Sequence, residues 1–181
     1  MDNTSAIAVD GSGNVWVASA AGFKVSKWSN SGSNLGFCSC GGINDPVGIA
    51  VDGAGNVWLA NAGGNSVTEV LGSTDTASTA SPITGGGLSN PQAIALDGAG
   101  NVWVANAGSN SVTELSSAGA LLSGSTGYTG GAISGTQLSG VSNYTGGAMF
   151  VPDAIAVDGS GDVWIASQGN NPSQSFVTRC V

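Results

Sequence analysis

The chain has 181 residues, only 8% of them charged, with Lys24, Lys27 and Arg179 as its basic groups and a formal net charge of −8. Phosphate contacts need Lys and Arg, so this balance excludes nucleic acid as a partner and sets the protein against anionic membrane surfaces. It contains no histidine, which removes Ser-His-Asp and Cys-His nucleophile systems, the commonest general base and every His-ligated metal site.

From the first residue, Met1-Asp2-Asn3 lacks the positive and apolar regions of a signal peptide. No run of 18 apolar residues follows, so no membrane insertion is expected. At Ala6 the chain enters AIAVDGSGNVWVAS, a short apolar run, an acidic turn and a tryptophan strand. The pattern returns from Gly48, Ala93 and Ala154, placing its aspartates at Asp10, Asp52, Asp97 and Asp158, at intervals of 42, 45 and 61 residues. Repeats of about 40–50 residues match four-stranded propeller blades, and the Val, Ile, Trp, Thr and Gly content favours strands over helices. We therefore expect one all-β domain over 1–181, a propeller of about four blades of antiparallel strands at 5–45, 46–90, 91–151 and 152–181, the last incomplete.

The second blade is the best specified. An inner strand at Ile49–Asp52, a second at Asn56–Asn61 and a third at Ser66–Leu71 are expected, with a weaker fourth in the Ser/Thr/Gly-rich stretch beyond. Asp52 is expected to accept backbone N–H bonds in the first turn, with Gly53 and Gly55 supplying positive φ. The first two strands are apolar on both faces, as stacked blades require, whereas SVTEV at Ser66–Val70 alternates like an outer, partly exposed strand. Glu69 and Glu114, equivalent positions of consecutive third strands, are read as solvated. Trp16, Trp58, Trp103 and Trp164 are expected to form a structural belt between blades.

Cys38-Ser-Cys40 lies between the first two blades, and Cys180 near the end. The three cysteines are read as incidental or paired with each other; a bridge from Cys180 to Cys38 or Cys40 would demand the fourth blade beside the first. The long third interval has a local cause: TYR-initiated YTGGA stands at Tyr128–Ala132 and again at Tyr144–Ala148, a 16-residue shift whose removal restores an interval of 45. The last blade closes on SFVTRCV, a third strand without a fourth.

The units resemble bacterial NHL-type propeller repeats, of the form Pro-x-x-Ile-Ala-Val-Asp, a turn, Val-aromatic-Val-Ala-Asn and Asn-x-Val. That form is carried by Pro46, Ile49–Asp52, Val57–Asn61, Asn65 and Val67, and by Pro91, Ile94–Asp97, Val102–Asn106, Asn110 and Val112. The resemblance implies a propeller whose relatives include binding scaffolds, streptogramin-lyase-like enzymes and lactonase-like enzymes. Such rings usually have about six blades, so the expectation is an open or incomplete arc, with self-association through its open blade faces as a possible consequence.

Candidate sites follow. Asn61, Asn65, Asn106 and Asn110 sit in Ala/Gly/Asn loops and either hydrogen-bond a sugar or peptide or cap the turns. Tyr128 and Tyr144 either stack on a ligand or belong to a lengthened linker. Asp10, Asp52, Asp97 and Asp158 are turn-formers first and weak Ca²⁺ ligands second. The lyase-like relatives are understood to use a catalytic His, which no position here can supply. The reading is a non-enzymatic, extracellular or cell-envelope scaffold for a protein or carbohydrate ligand, with no catalytic residues and no cofactor. The alternative is part of a metal-dependent lactonase- or lyase-like enzyme holding Ca²⁺ or another divalent ion.

Overall fold

The computed structural model describes residues 3–129 and 149–168 and the backbone of 175–180. Tyr144 and most of the duplicated segment lie outside the described residues. Among those described there is no helix, and the chain divides into two compact units, Met1–Thr84 and Gly85–Val181.

The first unit holds two four-stranded antiparallel sheets, each a meander in chain order. One comprises β1 (Thr4–Val9), β2 (Val15–Ser19), β3 (Lys24–Trp28) and β4 (Asn34–Cys38); the other β5 (Pro46–Val51), β6 (Val57–Asn61), β7 (Ser66–Leu71) and β8 (Thr76–Ala77). The second unit repeats the plan with β9 (Pro91–Leu96), β10 (Val102–Asn106), β11 (Ser111–Leu115) and β12 (Tyr128–Thr129), then with a three-stranded sheet of β13 (Pro152–Val157), β14 (Val163–Gln168) and β15 (Ser175–Cys180). Each sequence repeat is thus one blade of an all-β propeller architecture.

Local chemistry explains the first hairpin of every blade. Asp52 N–H donates to Asn56 O and Gly55 N–H returns to Asp52 O, closing a turn in which Gly55 has φ +87°. Only this second glycine needs the left-handed region; Gly53 does not adopt it, contrary to the sequence expectation. The second turn is made by Asn65 and Asn110 at φ 47° and 52°, a conformation that asparagine tolerates better than most residues.

Both units bury their apolar surface the same way. In the first, Trp16, Ala18, Val25 and Cys38 of blade one share a core with Val57, Leu59 and Val70 of blade two, and Ile49 and Val51 pack against it. In the second, Val112 of blade three joins Val163 and Ile165 of blade four, with Trp103, Ile155 and Val157 alongside. The tryptophan-bearing face of one blade beds on the aliphatic face of the next. Trp58 is fully buried and Trp16 nearly so, whereas Trp103 and Trp164 are half-buried.

The third strand of blade two departs from expectation. Ser66 through Val70 are all buried, Glu69 included. The Ser/Thr-rich tail folds back over them: Val67 and Ile83 exchange both backbone bonds at 2.9 and 2.8 Å, Ser78 N–H donates to Glu69 O at 2.9 Å, and Glu69 N–H donates to Ser81 Oγ at 2.8 Å. Sequence alternation alone could not reveal a covering segment twelve residues away.

Candidate functional site

Each repeated aspartate organises a clasp. In blade one, Asp10 Oδ1 accepts the N–H groups of Ser12 and Asn14 at 2.9 Å each, while Oδ2 accepts Asn14 Nδ2 at 3.0 Å and the Trp16 indole N–H at 3.1 Å. Asp52 and Asp97 repeat this with Asn56 and Trp58, and with Asn101 and Trp103. A carboxylate offers about four lone-pair positions, and these three fill them with four donors, so each serves as the acceptor of its own hairpin. In blade four Asp162 replaces the asparagine; Asp158 still takes Ser160 N–H, Asp162 N–H and the Trp164 indole. Among the described residues no three Cys, Asp or Glu side chains gather as a metal site.

Burial pushes the pKa of Asp10 and of Asp97 up. The hydrogen bonds outweigh it and hold both below the ordinary 3.8: Asn14, Trp16 and Ser12 act on Asp10, and Trp103, Asn101 and Ala99 on Asp97. A depressed folded pKa contributes stability that is present above the unfolded value and lost as pH falls through the folded one. Melting temperature is therefore expected to hold from neutrality to about pH 5 and then fall steadily below about pH 4. Asp97→Asn should flatten that fall in melts recorded across the acid range; an unchanged slope would show that the clasp carboxylate is not among the groups responsible.

The asparagines separate into two kinds. Asn61 and Asn106 are fully buried rather than on a rim, which corrects the expectation that they reach a ligand. Asn61 Nδ2 donates to Thr68 Oγ1 at 3.0 Å and its Oδ1 accepts Asn44 N–H at 3.2 Å. Asn106 Nδ2 donates to Thr113 Oγ1 at 2.9 Å, and its Oδ1 has no partner among the described residues. Asn65 is exposed at its turn, while Asn110 Oδ1 accepts Val151 N–H at 2.7 Å. Tyr128 is engaged too: its hydroxyl donates to Glu114 Oε2 at 2.7 Å and its ring stacks on Trp103, centroids 6.0 Å apart. Glu114 is thereby a half-buried partner for the fourth strand.

What the sequence reading missed is a cleft at the opposite end of the first unit. A space of about 470 Å³ lies between the Asp turns of the first two blades, walled by Gly11, Ser12, Lys27, Ala54, Gly72 and Ser73 among others. Backbone and small polar side chains dominate it because those turns are built of Gly, Ser and Ala. Lys27 is its one cationic wall residue: its ammonium sits 4.6 Å from the Trp16 ring centroid and 3.4 Å from Asp75 Oδ1. Its rarity in so charge-poor a chain was the available signal. A second recess of about 430 Å³ adjoins Phe37, Asp75 and the Cys38–Cys40 disulfide. The disulfide has a Cα separation of 5.1 Å, inside the usual range. The Cys180 side chain lies outside the described residues.

No family model matches the chain, and no curated protein matches it. Solved structures do. A hydrazine synthase from Kuenenia stuttgartiensis is similar with TM-score 0.78 at 15% identity, over 99% of this chain and 46% of that one. A virginiamycin B lyase from Staphylococcus aureus is similar with TM-score 0.66 at 13% identity, over 98% of this chain and 55% of that one. The extracellular domain of a hybrid two-component system from B. thetaiotaomicron is similar with TM-score 0.60 at 17% identity, over 91% of this chain and 20% of that one. The chain spans about half the length of the first two. At these identities the likeness establishes the propeller fold.

Proposed function

We propose that the chain is a non-enzymatic NHL-type propeller scaffold of the cell exterior or envelope, which binds a neutral, hydroxyl-rich ligand such as a carbohydrate in the cleft of its first unit. The observation that carries this reading is the state of the acid–base groups. There is no histidine, and the carboxylates that recur in every blade are occupied as clasp acceptors, so the repeated machinery builds hairpins. The cleft presents the Ser12 and Ser73 hydroxyls and the Lys27 ammonium, with the Asp10 and Asn14 side chains also in its wall, a set suited to hydroxyl and carbonyl groups. The Cys38–Cys40 disulfide suits an oxidising compartment.

A panel of soluble oligosaccharides titrated calorimetrically against the chain tests this. Binding by one of them, lost in Ala54→Trp, is the expected result, because Ala54 is exposed at the cleft wall and its replacement fills the space without entering the core. Absence of heat across the panel, or heat unchanged by Ala54→Trp, rejects the cleft. Lactone hydrolysis appearing on addition of Ca²⁺ or Mg²⁺ would favour an enzyme instead.

A further inference from the structure

The Cys38–Cys40 disulfide does little to hold the fold. It closes a loop across a single residue, Ser39, at a sequence separation of 2, and a cross-link restrains the unfolded chain less as its loop shortens. Both ends are fixed without it. Cys38 is the last residue of β4, paired with Val25 and buried in the core of the first unit. Cys40 packs against that core, and its carbonyl accepts the N–H of the buried Ile43 at 3.3 Å. Breaking the S–S bond therefore releases no strand, and leaves two thiols on backbone that stays anchored on both sides.

The bond is also accessible. Both cysteines line the recess of about 430 Å³ between β4 and β8, the outermost strands of the first two blades. Access to the two is unequal: Cys38 is 8% exposed, whereas Cys40 is half-buried. The recess wall includes the exposed ring of Phe37, with the Lys24 ammonium 5.4 Å from its centroid. An apolar wall suits the side chain beside a peptide cysteine, and a cation next to it attracts an incoming thiolate. Asp75, the carboxylate of the recess, is paired with Lys27 at 3.4 Å. Its backbone oxygen lies 3.8 Å from Cys40 Sγ, so a thiol formed at Cys40 has an acceptor waiting. A disulfide becomes a stronger oxidant when its reduced form is stabilised in this way.

We propose that Cys38–Cys40 is a thiol–disulfide exchange site that passes its disulfide to a peptide carrying two cysteines. A peptide thiolate attacks Cys40 Sγ, the accessible sulfur. The bond to Cys38 breaks, and Cys38 leaves with the electron pair and takes up a proton, as its apolar surroundings favour. The second peptide thiolate then attacks the peptide sulfur of the mixed disulfide and displaces Cys40, which is protonated against Asp75 O. Two electrons pass from peptide to protein, and the two protons the peptide thiols give to solvent are matched by two that the cysteines take up. The peptide departs as a disulfide and the chain remains as the dithiol. This activity goes beyond the binding reading and is independent of the cleft and its ligand.

Single-turnover exchange between the oxidised full chain and a synthetic two-cysteine peptide, quenched by alkylation and read by mass spectrometry, tests this; Cys180→Ser in all samples leaves one pair to report. Peptide disulfide should form about tenfold or more faster than with equimolar glutathione disulfide. A one-cysteine peptide should be trapped on Cys40, with the alkyl group on Cys38. Thr76→Trp, at an exposed position of the recess wall, should slow the peptide about tenfold while dithiothreitol still reduces the bond at its former rate. The dithiol chain should keep its circular dichroism and melt within about 6 °C of the oxidised one. Exchange no faster than with glutathione disulfide, a peptide trapped on Cys38, peptide exchange unaffected by Thr76→Trp, or unfolding on reduction overturns the proposal.

Discussion

Trp16→Ala is expected to lower the midpoint of thermal unfolding by about 6–20 °C, from a loss of about 3–5 kcal/mol for a truncated core tryptophan and about 2–4 °C per kcal/mol in a chain of this size. The side chain is 1% exposed and shares its core with Val57, Leu59 and Val70 of the neighbouring blade. Three losses coincide. The indole volume leaves a cavity between two sheets, the N–H to Asp10 Oδ2 at 3.1 Å disappears, and Lys27 loses the ring 4.6 Å from its ammonium. The second and third are small, about 1 kcal/mol each or less, so the cavity dominates. Trp16→Phe separates them: it keeps most of the packing and should cost far less. A melting curve unchanged by Trp16→Ala would mean that the blades do not rely on this contact.

Asn61→Leu is the second large effect, with a loss of about 2–4 kcal/mol expected from buried polar groups left without partners. Asn61, Ser66 and Thr68 are 0%, 2% and 0% exposed, and the asparagine amide links β6 to β7 through Thr68 Oγ1 and to the incoming chain through Asn44 N–H. Leucine has a similar volume and satisfies neither. Asn106→Leu provides an internal control at the equivalent position of blade three. Asn106 Nδ2 donates to Thr113 as Asn61 does to Thr68, but Oδ1 has no described partner. The loss there should be smaller by about 1 kcal/mol, the worth of one hydrogen bond. Chemical denaturation of both variants measures the difference, and equal losses would remove the Asn44 contact from the account.

The asparagine pair also shows why residue type misled the reading of the rim. Asn in an Ala/Gly-rich loop serves equally as a ligand contact or as an internal cap, and nothing within ten residues distinguishes them. Asn61 ends β6, so its side chain turns into the blade; Asn65, four residues on, stands in the turn and is exposed. Tyr128 misled for a similar reason. Amid Gly and Thr it reads as a surface aromatic, yet Trp103 and Glu114 receive it as part of the fourth strand.

The sequence by itself determined the blades. Hairpin formation depends on residues within six positions of each aspartate, so the Asp–Gly–x–Gly–Asn/Asp–x–Trp repeat specified turns and strand order. Burial of Glu69 and the cleft between two sets of Asp turns were decided only by tertiary structure. Each depends on which distant segment covers a strand, and a local pattern records what a residue prefers, not what comes to lie against it.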